Sequence, residues 1–461
     1  MNPNMGIYLG LGSAGSAWAG PEHSALILGP SRSGKTSSLI IPNILNTQSP
    51  VVSTSTKPDV LNSTSAFRSK CGEAFLYDPT GSIEPPVGVQ KVGWSPLHNS
   101  RTWDGALLVA DAMVRATRNT KGQRSTSSAE EHWGERAGSL LATVMHAAST
   151  DELSMRTVLQ WVDRHDGSDA LEILVNHVGD DATSTNLLSG ILATDSREQS
   201  GIWSTASGVL SAYRSESAME STMLAPLDIK NFSSDRNTLY ICAPGRQQKL
   251  FAPLIVGMLS DVRDACYSRA ITSPNDPPVL MALDELANIA PISDLPAMIS
   301  EGAGQGVLVL ACLQDLSQAK AIWGQEADGF ISLFGTTVVL PGIADIHTLS
   351  AISSLAGDLE IPIKTLGSSQ GGDGRLHPSS SISTIFRPRL PIDVIARGVH
   401  GHGLAIDSKN KIGWISLTPA HSTSPWIQLI SDNSRVKKNH DRSVNLGIKG
   451  VNEHASSGRF R

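Results

Sequence analysis

Ala25-Leu26-Ile27-Leu28-Gly29-Pro30-Ser31-Arg32-Ser33-Gly34-Lys35-Thr36-Ser37 is the stretch that decides the fold. Its centre, Gly29 to Thr36, fits the phosphate-binding pattern G-x-x-x-x-G-K-[ST] without a mismatch. An apolar strand-like run, Ala25 to Leu28, enters the loop, and Ser37 to Ile41 leave it as a helix start. Glycines let successive backbone N–H groups curl around phosphate oxygens, and the helix N-terminus adds partial positive charge. In this pattern Gly29, Pro30, Ser31, Arg32, Ser33, Gly34, Lys35, Thr36 and Ser37 cradle the nucleotide. Lys35 meets the β- and γ-phosphates and Thr36 holds Mg²⁺. The expectation is a nucleoside triphosphate site, with ATP and Mg²⁺ as its occupants.

Working outward, the 461 residues give room for two to three domain-sized units. A hydrophobic content of 40% with 17% charged residues describes a folded globular chain. The formal charge of −6 excludes a generally basic surface that coats nucleic acid, and leaves a local basic strip or pore open. Cys71, Cys242, Cys266 and Cys312 lie far apart with no C-x-x-C pair, so free buried thiols are expected in place of a disulfide framework or zinc site. The opening twenty residues lack the basic start and long apolar centre of a signal peptide. Leu250 to Ile271 carries Asp261, Arg263 and Asp264, which suits a core-facing helix better than a membrane span. A soluble chain is expected.

A βα alternation dominates the first hundred residues. Val51 to Thr54 and Ala74 to Tyr77 read as buried parallel strands that run into Thr56-Lys57-Pro58-Asp59 and Asp78-Pro79-Thr80-Gly81. Loops at the carboxyl ends of parallel strands gather near a bound nucleotide, so Asp59 and Asp78 either face the site or cap turns. Arg118 to Glu131 is serine-rich and reads as a flexible loop. After it, 132–231 shows helical stripes and almost no strand signal, whereas strands resume at Thr238 to Cys242, Val279 to Leu283, Val307 to Leu313 and Thr337 to Leu340. The expected organisation is α/β: a mainly parallel sheet flanked by helices, with an inserted all-α domain. Residues 1–131 form the first part of the motor domain, 132–231 the insertion, 232–431 the second part of the motor, and 432–461 a basic, disordered tail.

A second decisive motif is Pro278-Val279-Leu280-Met281-Ala282-Leu283-Asp284-Glu285. A buried strand runs straight into two carboxylates, as a nucleotide hydrolase requires. Asp284 supports the metal opposite Thr36, and Glu285 orients and activates the attacking water. One strand later, Gln314 follows Val307 to Leu313 and is placed to touch the γ-phosphate or its water, while Gln318 reads as a solvated helix residue. Lys35, Glu285 and Gln314 are therefore the catalytic candidates.

These pieces together carry a family resemblance. The phosphate loop with Leu39 to Asn43 after it, Thr56 to Asp59, Trp94-Ser95-Pro96-Leu97, Asp284-Glu285-Leu286-Ala287 and Leu313 to Gln318 resemble the type IV secretion coupling proteins of the TraG/TraD family. The resemblance runs over roughly residues 20 to 425. It implies a RecA-like P-loop ATPase related to the FtsK and HerA translocases, and a hexameric ring. It further implies recruitment of relaxase-bound single-stranded DNA, the relaxosome, to secretion channel proteins at the inner face of the cell membrane. Two rival readings are a HerA- or FtsK-like DNA translocase or protein-export motor, and a weakly hydrolysing ATP-gated docking platform.

The chain departs from the family in two places. Many members begin with transmembrane helices, whereas this sequence starts just ahead of the phosphate loop, so membrane contact runs through a partner or a missing segment. Relatives also carry an arginine in a Glu-Gly-Arg context that serves the neighbouring subunit's nucleotide. Here the stretch reads Glu301-Gly302-Ala303-Gly304, with no arginine between Arg269 and Arg375. Arg246, Arg387 and Arg389 are the replacement candidates. Gly367 to Arg375 reads as a mobile loop, and Leu404 to Ile406 with Ile412 to Leu417 as a closing strand pair.

Overall fold

Every side chain of Ala25–Leu28 is fully buried, and the strand alternation sends them to two cores. Leu26 and Leu28 pack into a core on one face of the sheet, Ala25 and Ile27 into a core on the other. That is how a near-continuous apolar run behaves when helices cover both faces, each buried Leu or Ile contributing about 1.5–3 kcal/mol. The computed structural model describes residues 6–120, 128–244, 248–370, 372, 376–409 and 411–430.

Fourteen strands form among these residues: β1 (Tyr8–Gly12), β2 (Gly15–Trp18), β3 (Ala25–Leu28), β4 (Val51–Ser55), β5 (Ala74–Tyr77), β6 (Val89–Lys91), β7 (Thr238–Cys242), β8 (Val279–Leu283), β9 (Val307–Leu313), β10 (Thr336–Val339), β11 (Asp358–Gln370), β12 (Leu376–Pro388), β13 (His402–Ile406) and β14 (Ile412–Ser416). Twelve build one sheet in the order β2-β1-β14-β13-β10-β3-β9-β8-β4-β7-β5-β6. The run from β10 to β6 is parallel, and β13, β14, β1 and β2 close one side as antiparallel neighbours. The expected β13–β14 pair is present. The glycine-rich opening, which carries no strand signal in the sequence reading, forms the β1–β2 hairpin and joins β14 through Leu11 and Ser416.

Helices cover both faces. Trp103–Thr120, Ser128–Thr150 and Gln248–Thr272 pack on one side, Ile41–Asn46 and Asp59–Cys71 on the other. From Trp103 to Ser234 the described residues contain helices and no strand. Both flanks of the loop expected over Arg118 to Glu131 are helical, and its centre, 121–127, lies outside the described residues. One helix runs to Thr120 and the next starts at Ser128, its first turn carrying Glu130 and Glu131, which complement the helix dipole. The tail, 432–461, lies outside the described residues.

Two buried ionisable side chains show how the layers are tied. Arg68, at 0% exposure, donates to the carbonyls of Thr47, Ser49, Arg236 and Asn237 and to Thr238 Oγ1, stitching together the segments that enter β4 and β7. Five N–H donors with enough acceptors make a buried guanidinium tolerable without a carboxylate. On the other face Asp261, in the helix Gln248–Thr272, accepts from Trp94 Nε1 at 2.7 Å and Asn99 Nδ2 at 2.5 Å. One turn earlier Gly257 makes room for the indole, since a Cβ there would stand 2.4 Å from Trp94 Cη2.

After β14 the chain returns to the phosphate-loop helix. Ala420 N donates to Ser37 O, and Trp426 Nε1 donates to Asn46 Oδ1 at 2.9 Å.

β11 and β12 stand apart. They pair with each other in full register, Asp358 opposite Pro388 to Gln370 opposite Leu376, and among the described residues join no other strand. Gly367 to Gln370, expected in a mobile loop, are the end of β11. The alternation Leu359, Ile361, Ile363 extends the ribbon through them.

Candidate functional site

The phosphate loop leaves β3, between β10 and β9, and its shape is set by its own backbone. Gly29 N donates to Leu313 O at 3.1 Å, fastening the loop entrance to the end of β9. A Cβ on Gly29 would stand 2.8 Å from Leu340 Cβ, so glycine is required there. Arg32 and Gly34 adopt φ of 65° and 94°, which turns successive N–H groups inward to make an anion-binding concavity. Lys35 is 6% exposed. Its Nζ folds back on the loop, donating to Gly29 O at 2.5 Å and Pro30 O at 2.9 Å. The helix then opens with a π-turn, Thr36–Ile40.

Opposite the loop stands the end of β8. The chain places β8 one strand from β3, with β9 between them. Thr36 Oγ1 donates to Asp284 Oδ2 at 2.6 Å, joining residues 248 positions apart in sequence. Burial, together with the neighbouring Glu285 carboxylate, pushes the Asp284 carboxyl above its usual range, while the Thr36 hydroxyl and the Lys35 ammonium pull it back. A hydroxyl and a carboxylate that converge at the mouth of a loop of N–H donors form a hard-oxygen pair suited to Mg²⁺ shared with phosphates. Among the described residues no cluster of three or more His, Cys, Asp or Glu offers a protein-only metal cage.

Glu285 sits at φ 54°, a left-handed conformation that costs a non-glycine residue about 1 kcal/mol or more. Asn288 N and Ile289 N donate to its carbonyl, and two side-chain contacts add to these. Thr54 Oγ1 donates to Asp284 O at 3.2 Å, and Asn288 Nδ2 donates to Glu285 Oε2 at 2.8 Å. Gln314 follows β9 directly, beside the loop entrance, and its N–H donates to Gln318 Oε1 at 2.8 Å. Gln318 is thus half-buried and braces the end of β9, where the sequence suggests a solvated residue. Asn288 and Thr54 escape the sequence reading, and Gln318 is misread in it as solvated, because nothing in their type marks these roles. The i+3 spacing from Glu285 and the i+4 spacing from Gln314 are the only signals.

Other candidates fall elsewhere. Asp78 is buried and spends its carboxylate on Thr80 N, Thr80 Oγ1 and Ile83 N, which is the turn-building role. Asp59 lies exposed in the first turn of its helix. Glu301 to Gly304 enter β9 at the end remote from Gln314. Arg387 lies in β12 opposite Leu359, and Arg389 N donates to Gly357 O at the base of the ribbon. Arg246 is outside the described residues. All four cysteines are free, with Cys71 half-buried and the other three buried.

Comparison with known proteins places this geometry. The family profile "Type IV secretory system Conjugative DNA transfer" matches residues 5–390. No curated protein sequence matches the chain. Among solved structures, the unbound bacterial conjugative coupling protein TrwBdeltaN70 superposes with a TM-score of 0.64 at 17% identity, covering 91% of this chain and 89% of that one. The plasmid coupling protein TrwB with the ATP analogue ADPNP gives 0.63 at 19% identity, covering 87% and 86%. The same protein with ADP and Mg²⁺ gives 0.61 at 19%, covering 87% and 85%. At these identities the structural likeness is one of fold.

Proposed function

We propose that this chain, which belongs to the type IV secretory system conjugative DNA-transfer family, is an ATP-hydrolysing motor that drives DNA or a relaxase–DNA substrate towards a secretion channel. The observation that carries the reading is the 2.6 Å contact between Thr36 and Asp284. It brings the phosphate loop and the acidic pair to one point, with Glu285 and the Gln314 backbone alongside. The complexes of TrwB with ADPNP and with ADP and Mg²⁺ support the choice of ligands.

Each residue then has a task. Lys35 leaves the Gly29 and Pro30 carbonyls for the phosphates, and the N–H groups from Ser31 to Ser37 hold their oxygens. Thr36 and Asp284 hold Mg²⁺, which when bound neutralises charge that develops on the phosphate oxygens. Glu285 accepts a proton from the attacking water as the water oxygen bonds to the γ-phosphorus and the bond to the β–γ bridging oxygen breaks. ADP and phosphate leave, and the proton passes from Glu285 to solvent. Gln314 contacts the γ-phosphate and registers its loss. The helices in 132–231 recruit cargo, the flanking parts form the motor, and the subunits form a ring, hexameric as in the family resemblance, at the cytoplasmic face of the membrane. Among the described residues no helix is long and apolar enough to cross a membrane.

Steady-state hydrolysis with and without single-stranded DNA tests the reading. Lys35→Ala abolishes nucleotide binding, whereas Glu285→Gln binds ATP without turnover. Full turnover by Glu285→Gln would remove Glu285 as the base. The absence of arginine from 270–374 favours one second reading, an ATP-gated docking platform. Tight ATP binding without turnover in every assembly state would select it.

A further inference from the structure

Among the described residues the β11–β12 ribbon has no partner strand, and the described side chains of its stem are exposed on both faces. Its main contact with the rest of the chain is the helix Ile346–Ala356. An isolated two-stranded ribbon is marginal in water, and contiguous exposed apolar side chains mark an interaction surface. The register separates two unlike faces. Among the described residues Leu359, Ile361, Ile363 and Ile385 share one with Arg387 as its only charge, while on the other Leu366, Ile382 and Phe386 are interspersed with Asp358, Glu360 and Lys364. A dry face with one arginine suits a protein partner. The four charges of the ribbon stem sum to zero, which gives no attraction for nucleic acid or for an anionic bilayer. Its apolar residues also sit in the stem, and the connection between the strands is Gly- and Ser-rich, the reverse of a membrane-inserting tip.

We infer that the ribbon is an arm that packs onto a second copy of this chain, laying its Leu359/Ile361/Ile363 face in a groove between the helices Trp103–Thr120, Ser128–Thr150 and Leu295–Glu301. That groove has a volume of about 1140 Å³. Leu107 and Leu108, themselves 40% and 53% exposed, and Val114 supply its apolar wall. Its rim carries Glu131, Glu135 and Glu326. Asp111 and Asp294, also on the rim, are already paired with Arg115 and Arg263. Arg115 and Arg118 line the same groove, and five carboxylates, Asp111, Glu131, Glu135, Asp294 and Glu326, outnumber them, so Arg387 entering from a neighbour meets net opposite charge where it loses water. Ribbon and groove are different surfaces of one chain. The contact is therefore head-to-tail and closes into a ring if the rotation permits. The inference is independent of hydrolysis and rests on the motor reading only in the expectation of a ring.

Sedimentation velocity of the full chain from about 1 to 100 µM tests it. The wild type associates, and Ile361→Ser with Ile363→Ser raises the dissociation constant about 100-fold, as loss of central anchors does. Ile382→Ser, on the opposite face, leaves association within about threefold and controls for melting of the ribbon. Arg387→Glu and Glu135→Arg each weaken association, and together they restore it. A wild type that stays monomeric, association indifferent to the Ile361/Ile363 pair, or no restoration by the charge swap would each overturn the arm. ATP binding is measured on every variant, so a monomer that still binds ATP removes the arm and leaves the nucleotide site standing.

Discussion

Asp261 is a carboxylate folded into a place that favours its neutral form. It is 6% exposed, and burial raises its pKa from 3.8 to about 7, against the opposing effect of the hydrogen bonds from Trp94 and Asn99. Because the folded value lies above the unfolded one, the native state binds the extra proton between those pH values. Stability therefore falls as pH rises from about 4 through about 7, then levels off. Three pH units at about 1.4 kcal/mol each set the full cost near 4 kcal/mol, of which about 3 kcal/mol is lost between pH 5 and 8. Asp261→Asn removes the titration and keeps the shape. The new amide oxygen accepts from Trp94 Nε1, and its NH₂ donates to the Asn99 oxygen once that side chain turns over. Urea unfolding followed by tryptophan fluorescence at pH 5 and pH 8 measures the difference between wild type and variant. The variant gains about 3 kcal/mol on the wild type across that range. An equal pH response in the two proteins would show that Asp261 ionises freely and that its burial carries no penalty.

Two further outcomes follow from contacts already described. Asn288→Ala removes the donor to Glu285 Oε2 and lowers kcat about tenfold with ATP affinity unchanged, the equivalent of one hydrogen bond of about 1.4 kcal/mol felt at the reacting step. An unchanged kcat in steady-state assays would show that Glu285 keeps its position without Asn288. Gly257→Ala drives a methyl into Trp94 and destabilises the chain by about 2 kcal/mol, read as a lower urea midpoint. A neutral result would mean that the indole can shift without losing Asp261.

The phosphate loop and the acidic pair are legible in the sequence because each is a contiguous motif whose polarity, strand before and helix or carboxylates after, is itself the signal. Their meeting across 248 residues is not local, and only order along the chain hints at it. The ribbon is harder to read. Its alternation is of strand type, yet glycines and serines from Gly367 onward, on a surface with no core to face, imitate a loop. Tyr8 to Gly12 is obscured in the same way, since Gly10 and Gly12 break an apolar pattern that pairing with β2 and β14 completes. Asp78 could not be assigned from its type, because a carboxylate after a buried strand serves a turn or a nucleotide equally well until its donors are seen.

The return of the chain after β14 has a mechanical consequence. Ala420 is fastened to Ser37 and Trp426 to Asn46, so the segment after β14 grips both ends of the helical stretch that begins at Thr36. When Lys35 and Thr36 change partners, that stretch and the segment move as one lever, and Ser422 on the segment is exposed. A fluorophore placed there reads the state of the phosphate loop from outside the site, with no relay through the sheet.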